Sequence, residues 1–319
     1  MKLLEKLIKK PLIFQRTLGL SIAQFEILAA SLEFLWAATE IQRKSKRSRI
    51  RNIGAGHPYH LSSIKEKLTA ILLYYKAYLT QEFIGILVGI DQSNVSKLLA
   101  KMLPLIEKAA DPELKDYLRQ AKEDYAKQAQ HNRINNWADF LKKHPDLKEV
   151  STDATEQRCH RSSNNAEQKK HYSGKKKCHM LKTQLSVSLT GRILDVSRTY
   201  PGSVHDKSII DAEKTIQKFP EHTCQRLDLG YQGVIAENPT YYIVLPYKKP
   251  KNGELSSFHK ELNTVHSKGR VIVENGICRL KKFKICQYRY RGLISNYNQI
   301  FRNIAALVNL KLHHTQATS

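Results

Sequence analysis

Acidic side chains are in short supply in this sequence of 319 residues. Its 29 Asp and Glu stand against 53 Lys and Arg, a formal charge of +24. Such an imbalance argues for a polyanionic partner, because cations that neutralise phosphates release condensed counterions and gain affinity without reading sequence. Cysteine is scarce as well. Cys159, Cys178, Cys224, Cys278 and Cys286 are odd in number, widely spaced and include no Cys-x-x-Cys pair, which argues against a disulfide framework and fits a reducing compartment. Cys159-His160 and Cys178-His179 lack finger spacing, and neighbours on a strand point to opposite faces, so no zinc site is expected. Charges interrupt the apolar residues that follow Met1-Lys2-Leu3-Leu4-Glu5, leaving no signal-peptide core, and no stretch reads as long enough to span a membrane. The expectation is a cytoplasmic protein whose polyanion is DNA or RNA.

From residue 20 to 41 apolar side chains recur at helical spacing, among them Phe25, Leu28, Leu32, Leu35 and Trp36, which predicts a helix. Six basic residues in nine follow, from Arg43 to Arg51, readable as an arm along a phosphate backbone or as a solvated linker. Ser63-x-x-Glu66 has the form of a capping box at a helix start, and Ile64, Leu68, Ile71, Leu72, Tyr75 and Leu79 form one apolar stripe. A second helix is expected from Thr80, with Phe83, Ile84 and Leu87. After Val88-Gly89-Ile90, Asp91 is suited to cap a third. That third helix would bury Val95, Leu98, Leu99 and Met102 and leave Gln92, Ser93, Asn94, Ser96, Lys97 and Lys101 outside. Three helices with a tight turn between the last two describe a helix-turn-helix, whose final helix enters the major groove with its N-terminal residues toward the bases. Gln92, Asn94 and Lys97 supply suitable donors and acceptors. A plain helical bundle would show the same stripes, and the basic surroundings favour DNA.

Residues 108–146, rich in Lys, Gln and Ala, read as a helical connector between an N-terminal region, 1–107, and a domain from 147 to 319. In the latter, Lys148 to Thr155 reads as a strand. Leu181, Thr183, Leu185, Val187 and Leu189 alternate with Lys182, Gln184, Ser186 and Ser188, the pattern of a half-buried strand. Thr190-Gly191 turns into a third strand, Arg192 to Arg198. A helix from Val204 to Phe219, a strand ending at Asp228, another at Tyr241 to Tyr247, a long helix through Glu274 and a last helix from Tyr297 to His313 complete an α/β arrangement around a mixed sheet.

Metal-dependent phosphodiester cleavage requires converging carboxylates. Asp153 lies in the first strand. Asp228 ends a strand at the turn Leu229-Gly230-Tyr231-Gln232-Gly233, and adjacent strands would set the two side by side at the sheet end where α/β ligands bind. Asp206 is a rival, although an acid opening a helix is a routine stabilising feature. Glu274 shares a helix face with Arg270 and Lys281, an arrangement that a solvated ladder of ion pairs would also produce.

Thr152-Asp153-Ala154-Thr155-Glu156, Tyr172-Ser173-Gly174-Lys175-Lys176-Lys177, Gly191-Arg192-Ile193-Leu194-Asp195-Val196, Pro201-Gly202-Ser203-Val204-His205-Asp206, Asp228-Leu229-Gly230-Tyr231 and Arg270-x-x-x-Glu274-x-x-x-x-x-x-Lys281 occur in this order along the chain. Together they resemble the bacterial insertion-sequence transposases of the IS-five group and their eukaryotic Harbinger relatives. The resemblance implies a DDE transposase with an RNase-H-like catalytic domain, preceded by the helix-turn-helix. Asp153, Asp228 and Glu274 would be the catalytic, metal-binding acids, with Arg270 and Lys281 on DNA. It further implies two Mg²⁺ ions, for which Mn²⁺ would substitute, and terminal inverted repeats and target DNA as double-stranded partners. A homo-oligomer on DNA in the nucleoid would complete the assembly. Ser267 stands where the family usually has Tyr. A domesticated, non-cutting DNA-binding protein is the main alternative, and a ribonuclease H or structure-specific nuclease a third.

Overall fold

The computed structural model describes residues 3–45, 60–130 and 137–316. Arg43, Lys44 and Ser45 of the basic run belong to a helix, and its remainder, 46–51, lies outside the described residues. Packing divides the chain into two compact units. One holds the residues up to Pro112, Leu280–Tyr288 and the chain from Gln299 onward; the other holds Glu113–Arg279 and Arg289–Asn298.

In the first unit the three expected helices are Ile64–Lys76, Gln81–Val88 and Gln92–Met102. Ser63 and Glu66 form the reciprocal capping box, each side chain taking the other's backbone N–H at 3.2 Å. Tyr78, at φ 54°, ends the first helix before Leu79, so the stripe stops one turn earlier than its periodicity suggests. Thr80 caps the second helix through Phe83 N–H. Asp91 holds the N-cap position of the third, but its carboxylate makes no capping bond. Val95, Leu98 and Met102 are buried, while Gln92, Ser93, Asn94, Ser96 and Lys97 are exposed. Gly85 makes the turn between these helices possible: a Cβ there would lie 2.4 Å from the Ile90 carbonyl oxygen.

The helix Ile22–Ser45 corrects one expectation, because it is long and apolar enough to cross a membrane by length and composition. Phe25, Leu28, Ala29 and Leu32 are nonetheless buried in this unit, and Phe25 meets Phe14 edge-on at 5.2 Å. Near its C-terminal end, Glu40 receives Arg43 at 2.9 Å and, from the third helix of the triplet, Lys101 at 3.2 Å. Arg43, reinforced by Lys101, holds the Glu40 carboxyl down at about 2 against the opposing effect of burial. A carboxyl depressed by folding contributes stability above its unfolded value and loses it as pH falls through the folded one. Glu40→Gln is therefore expected to cost about 2 kcal/mol at pH 7, and the gap to the parent should close between pH 4.5 and pH 2. Urea midpoints measured across that window check it; a gap independent of pH contradicts it.

The second unit is built on seven strands: β1 Glu149–Arg158, β2 Tyr172–Ser173, β3 Cys178–Ser188, β4 Ile193–Val196, β5 Tyr200–Pro201, β6 Cys224–Arg226 and β7 Ile243–Val244. β1 pairs antiparallel with β3 and parallel with β6, and β6 pairs parallel with β7. The other edge of β3 is taken in turn by β2, β5 and β4, all antiparallel. The order β4-β3-β1-β6-β7, antiparallel on one side of β1 and parallel on the other, is the RNase-H-like mixed sheet. Parallel pairing of β1 with β6 requires a long crossover, which contains the helix Asp206–Glu213.

The half-buried pattern expected for β3 is not what the fold produces. Residues Met180–Ser188 are buried on both faces, since β3 is a central strand. Its polar side chains are accommodated by partners: Ser186 with Thr152 at 2.8 Å, Ser188 with Asp146 at 3.0 Å, and Gln184 with Tyr231 and Thr215. The helix expected through Phe219 stops at Glu213, where Lys214 takes the left-handed conformation at φ 50°. Ala121, Phe140 and Leu147 pack with Val150, Leu194 and Phe219 in one apolar cluster beneath the sheet.

Candidate active site

Parallel pairing sets Ser151 opposite Arg226, so Asp153, two residues along in the middle of β1, comes level with Asp228, two residues beyond the end of neighbouring β6. Each carboxylate is oriented by the backbone that follows it. Asp153 Oδ1 accepts the Ala154 N–H at 2.8 Å, and Asp228 Oδ1 accepts the Leu229 N–H at 2.7 Å. Asp228 thereby caps the short 3-10 turn Leu229–Tyr231. Buried Tyr231 anchors that turn, its hydroxyl accepting Gln184 Nε2 at 3.0 Å.

One guanidinium joins the two acids. Arg270 Nη2 donates to Asp153 Oδ2 at 2.9 Å, and Nη1 lies 3.1 Å from Asp228 Oδ1. Arg270 is mostly buried, and its Nε has no hydrogen-bond partner. Burial pushes the Asp153 carboxyl up; Arg270 opposes that shift and Asp228 adds to it. A cation seated between two carboxylates fits the demand of a hard divalent ion for oxygen donors of opposite charge. The long helix Ser257–Lys281 that carries Arg270 comes close to the sheet at Gly269, whose carbonyl accepts Ser151 Oγ at 3.3 Å. A Cβ at Gly269 would lie 2.6 Å from Arg226 Nε, in the side chain that pairs with Glu149. Buried His266, one turn before Arg270, makes a contact of 3.2 Å from Nε2 to the Val244 carbonyl.

Glu274 follows Arg270 by one turn but is exposed. Among the described residues, no three His, Cys, Asp or Glu side chains converge closely enough to hold a metal ion. Arg270 is thus brought onto both aspartates while Glu274 is not. Lys281 closes the same helix, in the segment Leu280–Tyr288 that belongs to the first unit. Gln92 is tethered by its side-chain amide to Gln81 at 2.8 Å, and Asn94 and Lys97 are exposed beside it. Asp206 opens the helix Asp206–Glu213 and pairs with Lys182 at 2.9 Å, with Glu156 3.4 Å from the same ammonium.

Sequence periodicity missed Lys182, Gln184 and Tyr231 as supports of this region. Their signal was present, because polar side chains on a strand flanked by apolar neighbours must find partners if both faces are covered.

The sequence pattern of the family described as "DDE superfamily endonuclease" matches residues 152–309, and that described as "Helix-turn-helix of DDE superfamily endonuclease" matches residues 59–112. The transposase assigned to insertion sequence element IS702 of Microchaete diplosiphon is 28% identical over 253 residues, covering 78% of this chain and 81% of that protein. Two solved assemblies of the Mos1 transposase align over most of the chain. A pre-cleavage transpososome covers 77% of this chain and 84% of its own at 10% identity and a TM-score of 0.20; a paired-end complex with the left transposon end covers 87% and 85% at 9% identity and 0.24. The RNase-H-like assignment rests on strand order and not on those overlaps. With the aspartate pair on that sheet and both patterns matched in order, residues 152–309 form a domain of the DDE superfamily endonucleases and residues 59–112 the helix-turn-helix that accompanies it, in a chain similar to a transposase.

Proposed function

We propose that this protein mobilises its own insertion element, as a member of the IS-five group with Harbinger relatives. It binds the terminal inverted repeats, cuts their 3′ ends and joins those ends to target DNA by direct transesterification. The observation that carries the reading is the pairing of Asp153 and Asp228 on one guanidinium at the active end of the sheet. DDE endonucleases work with divalent metal ions, and Asp153 and Asp228 would hold them here. Glu274 joins them on the strength of the Arg270-x-x-x-Glu274 motif. Two Mg²⁺ ions, when bound, would supply an activated water or 3′-hydroxyl and stabilise charge on the phosphate.

The chain's own part is positional. Backbone N–H groups fix the Oδ1 atom of each aspartate, and Arg270 offsets the repulsion between the two carboxylates. Arg270 and Lys281 contact DNA in this reading, and synapsis of two ends calls for a homo-oligomer on DNA. Exposed Glu274, and Ser267 in place of the usual Tyr, give a second reading some support: an inactive or domesticated copy that binds ends without cutting.

Base reading by the exposed start of the third helix has its own test. Gln92→Ala or Asn94→Ala should narrow the gap between terminal-repeat and random duplex by about 1–3 kcal/mol. Lys97→Ala should weaken both equally. Gel shifts at fixed salt measure this, and unchanged discrimination in all three variants would sink the assignment. The function itself is tested by incubating the full chain and a duplex ending in the element's terminal repeat with Mg²⁺ or Mn²⁺. Nicking at the repeat boundary supports it; binding with no nicking in either metal supports the second reading.

A further inference from the structure

The hairpin between β2 and β3 lies apart from the aspartate pair and concentrates charge. From Arg158 to His179 the chain carries seven lysines and arginines and one acid, Glu167. Glu167 is committed, pairing with Lys170 at 2.8 Å. Lys175, Lys176 and Lys177 fill the turn joining β2 to β3 and are exposed, as is Gly174. Among the described residues, none of the three ammonium groups is paired with an acid.

The turn that presents them is built and held. Ser173 is buried; its Oγ accepts the Lys176 N–H at 3.2 Å and its carbonyl accepts the Lys177 N–H at 2.8 Å. Lys177 sits in the left-handed region at φ 54°. Beneath the hairpin, Gly202 packs so tightly that a Cβ there would lie 2.7 Å from Met180 Cβ and 2.8 Å from the His171 carbonyl. The neighbouring Ser203 N–H donates to the Lys170 carbonyl at 3.2 Å. Three like charges on a braced turn repel one another, and with no acid paired to them among the described residues an external anion relieves that repulsion.

Register gives their distance from the reacting centre. Asp153 pairs with Leu185 and the turn begins before Cys178, so seven residues of β3 separate them, roughly 23 Å at about 3.3 Å per residue. At about 3.4 Å per base pair, that is some seven base pairs of duplex.

We propose that Lys175, Lys176 and Lys177 form a second DNA contact, which grips the phosphate backbone of duplex DNA about seven base pairs to one side of the cut. The inference rests on the proposed function for the identity of the polyanion. The contact reads no sequence, because lysine on phosphate positions a duplex and the base edges specify it.

The test uses the full chain and a random-sequence 40-base-pair duplex. The triple variant Lys175→Gln, Lys176→Gln, Lys177→Gln should make the fall of log affinity with log salt less steep by about 2 to 3, at roughly 0.9 per phosphate contact. The triple Lys→Arg variant, with the same turn and charge, should restore the parent slope. A photo-crosslinker on Lys176→Cys should label an end substrate about seven base pairs from the nick, and the labelled strand says whether element or flanking DNA lies there; either location supports the proposal. An unchanged slope in a triple Gln variant that melts with the parent overturns it, and so does a loss confined to duplex RNA. If the slope changes but the parent never nicks an end, the DNA contact stands and the proposed function fails.

Discussion

Asp228→Asn is expected to lower metal-dependent nicking about a thousandfold, the scale of roughly 4 kcal/mol of transition-state stabilisation, with DNA binding and thermal stability retained. Asp153→Asn should do the same. The two carboxylates share Arg270 and point from adjacent strands into one space, so each variant removes a charged oxygen donor from that space and leaves the sheet intact. Asp206 provides the contrast. Its carboxylate faces Lys182, a largely buried ammonium that otherwise has Glu156 and the Val204 carbonyl for company. Asp206→Asn weakens the pairing of a buried cation, which costs stability on the order of 1–3 kcal/mol. Cutting should survive in that variant or disappear only together with the fold. Nicking assays run beside thermal melts separate the cases. Normal cutting by Asp228→Asn, with a stably folded Asp206→Asn inactive, would redraw the metal site through Asp206.

Gly85→Ala should be nearly as damaging by a different route. Gly85 accepts the N–H groups of both Gly89 and Ile90 with its carbonyl, at 2.7 and 3.0 Å, where the chain folds back between the last two helices. An added methyl would stand 2.4 Å from the Ile90 carbonyl oxygen, which is backbone and cannot swing aside. The third helix must move to admit it, at an expected cost of about 3 kcal/mol, and Gln92, Asn94 and Lys97 move with it. The variant should lose preference for the terminal repeat before it loses affinity for random duplex, since phosphate contacts tolerate displacement better than base contacts. A parent-like melting temperature and unchanged discrimination would contradict this account of the turn.

The local devices of the first unit were legible because each is written in adjacent residues: the Ser63–Glu66 box, the helix start at Thr80 and the glycine turn at Gly89. The strands β1 and β3, the hairpin into β4 and the adjacency of β1 to the strand before Asp228 were legible. Partnership across the sheet was not. Lys182, Gln184, Ser186 and Ser188 have the spacing of a solvent face, and only the tertiary fold covers that face. The early end of the crossover helix depends on one residue, Lys214, in a conformation that nothing in its side chain demands.

At the site, the two aspartates could be placed side by side from strand order alone. The position of Arg270 between them could not, because helical spacing groups Arg270 with Glu274 and Lys281 without saying which of the three meets the sheet. The close approach at Gly269 decides that, and it brings Arg270 inward while Glu274 remains exposed. The last helix, Ile294–Gln316, had a clear apolar stripe but no sequence mark of its neighbour. Asn303 supplies it, donating from Nδ2 to Tyr75 Oη and the Leu103 carbonyl, both at 2.9 Å.

The central claim is that one protein both cuts and joins. It is tested most directly by giving the full chain a pre-nicked terminal-repeat duplex with a free 3′-hydroxyl, a supercoiled target plasmid and Mg²⁺, then resolving the products on a denaturing gel. The expected result is covalent joining of that 3′ end to plasmid DNA, lost with Asp153→Asn and Asp228→Asn and absent when the end carries a 3′-deoxy terminus. Specific binding of the same end with no joined product in Mg²⁺ or Mn²⁺ would contradict it.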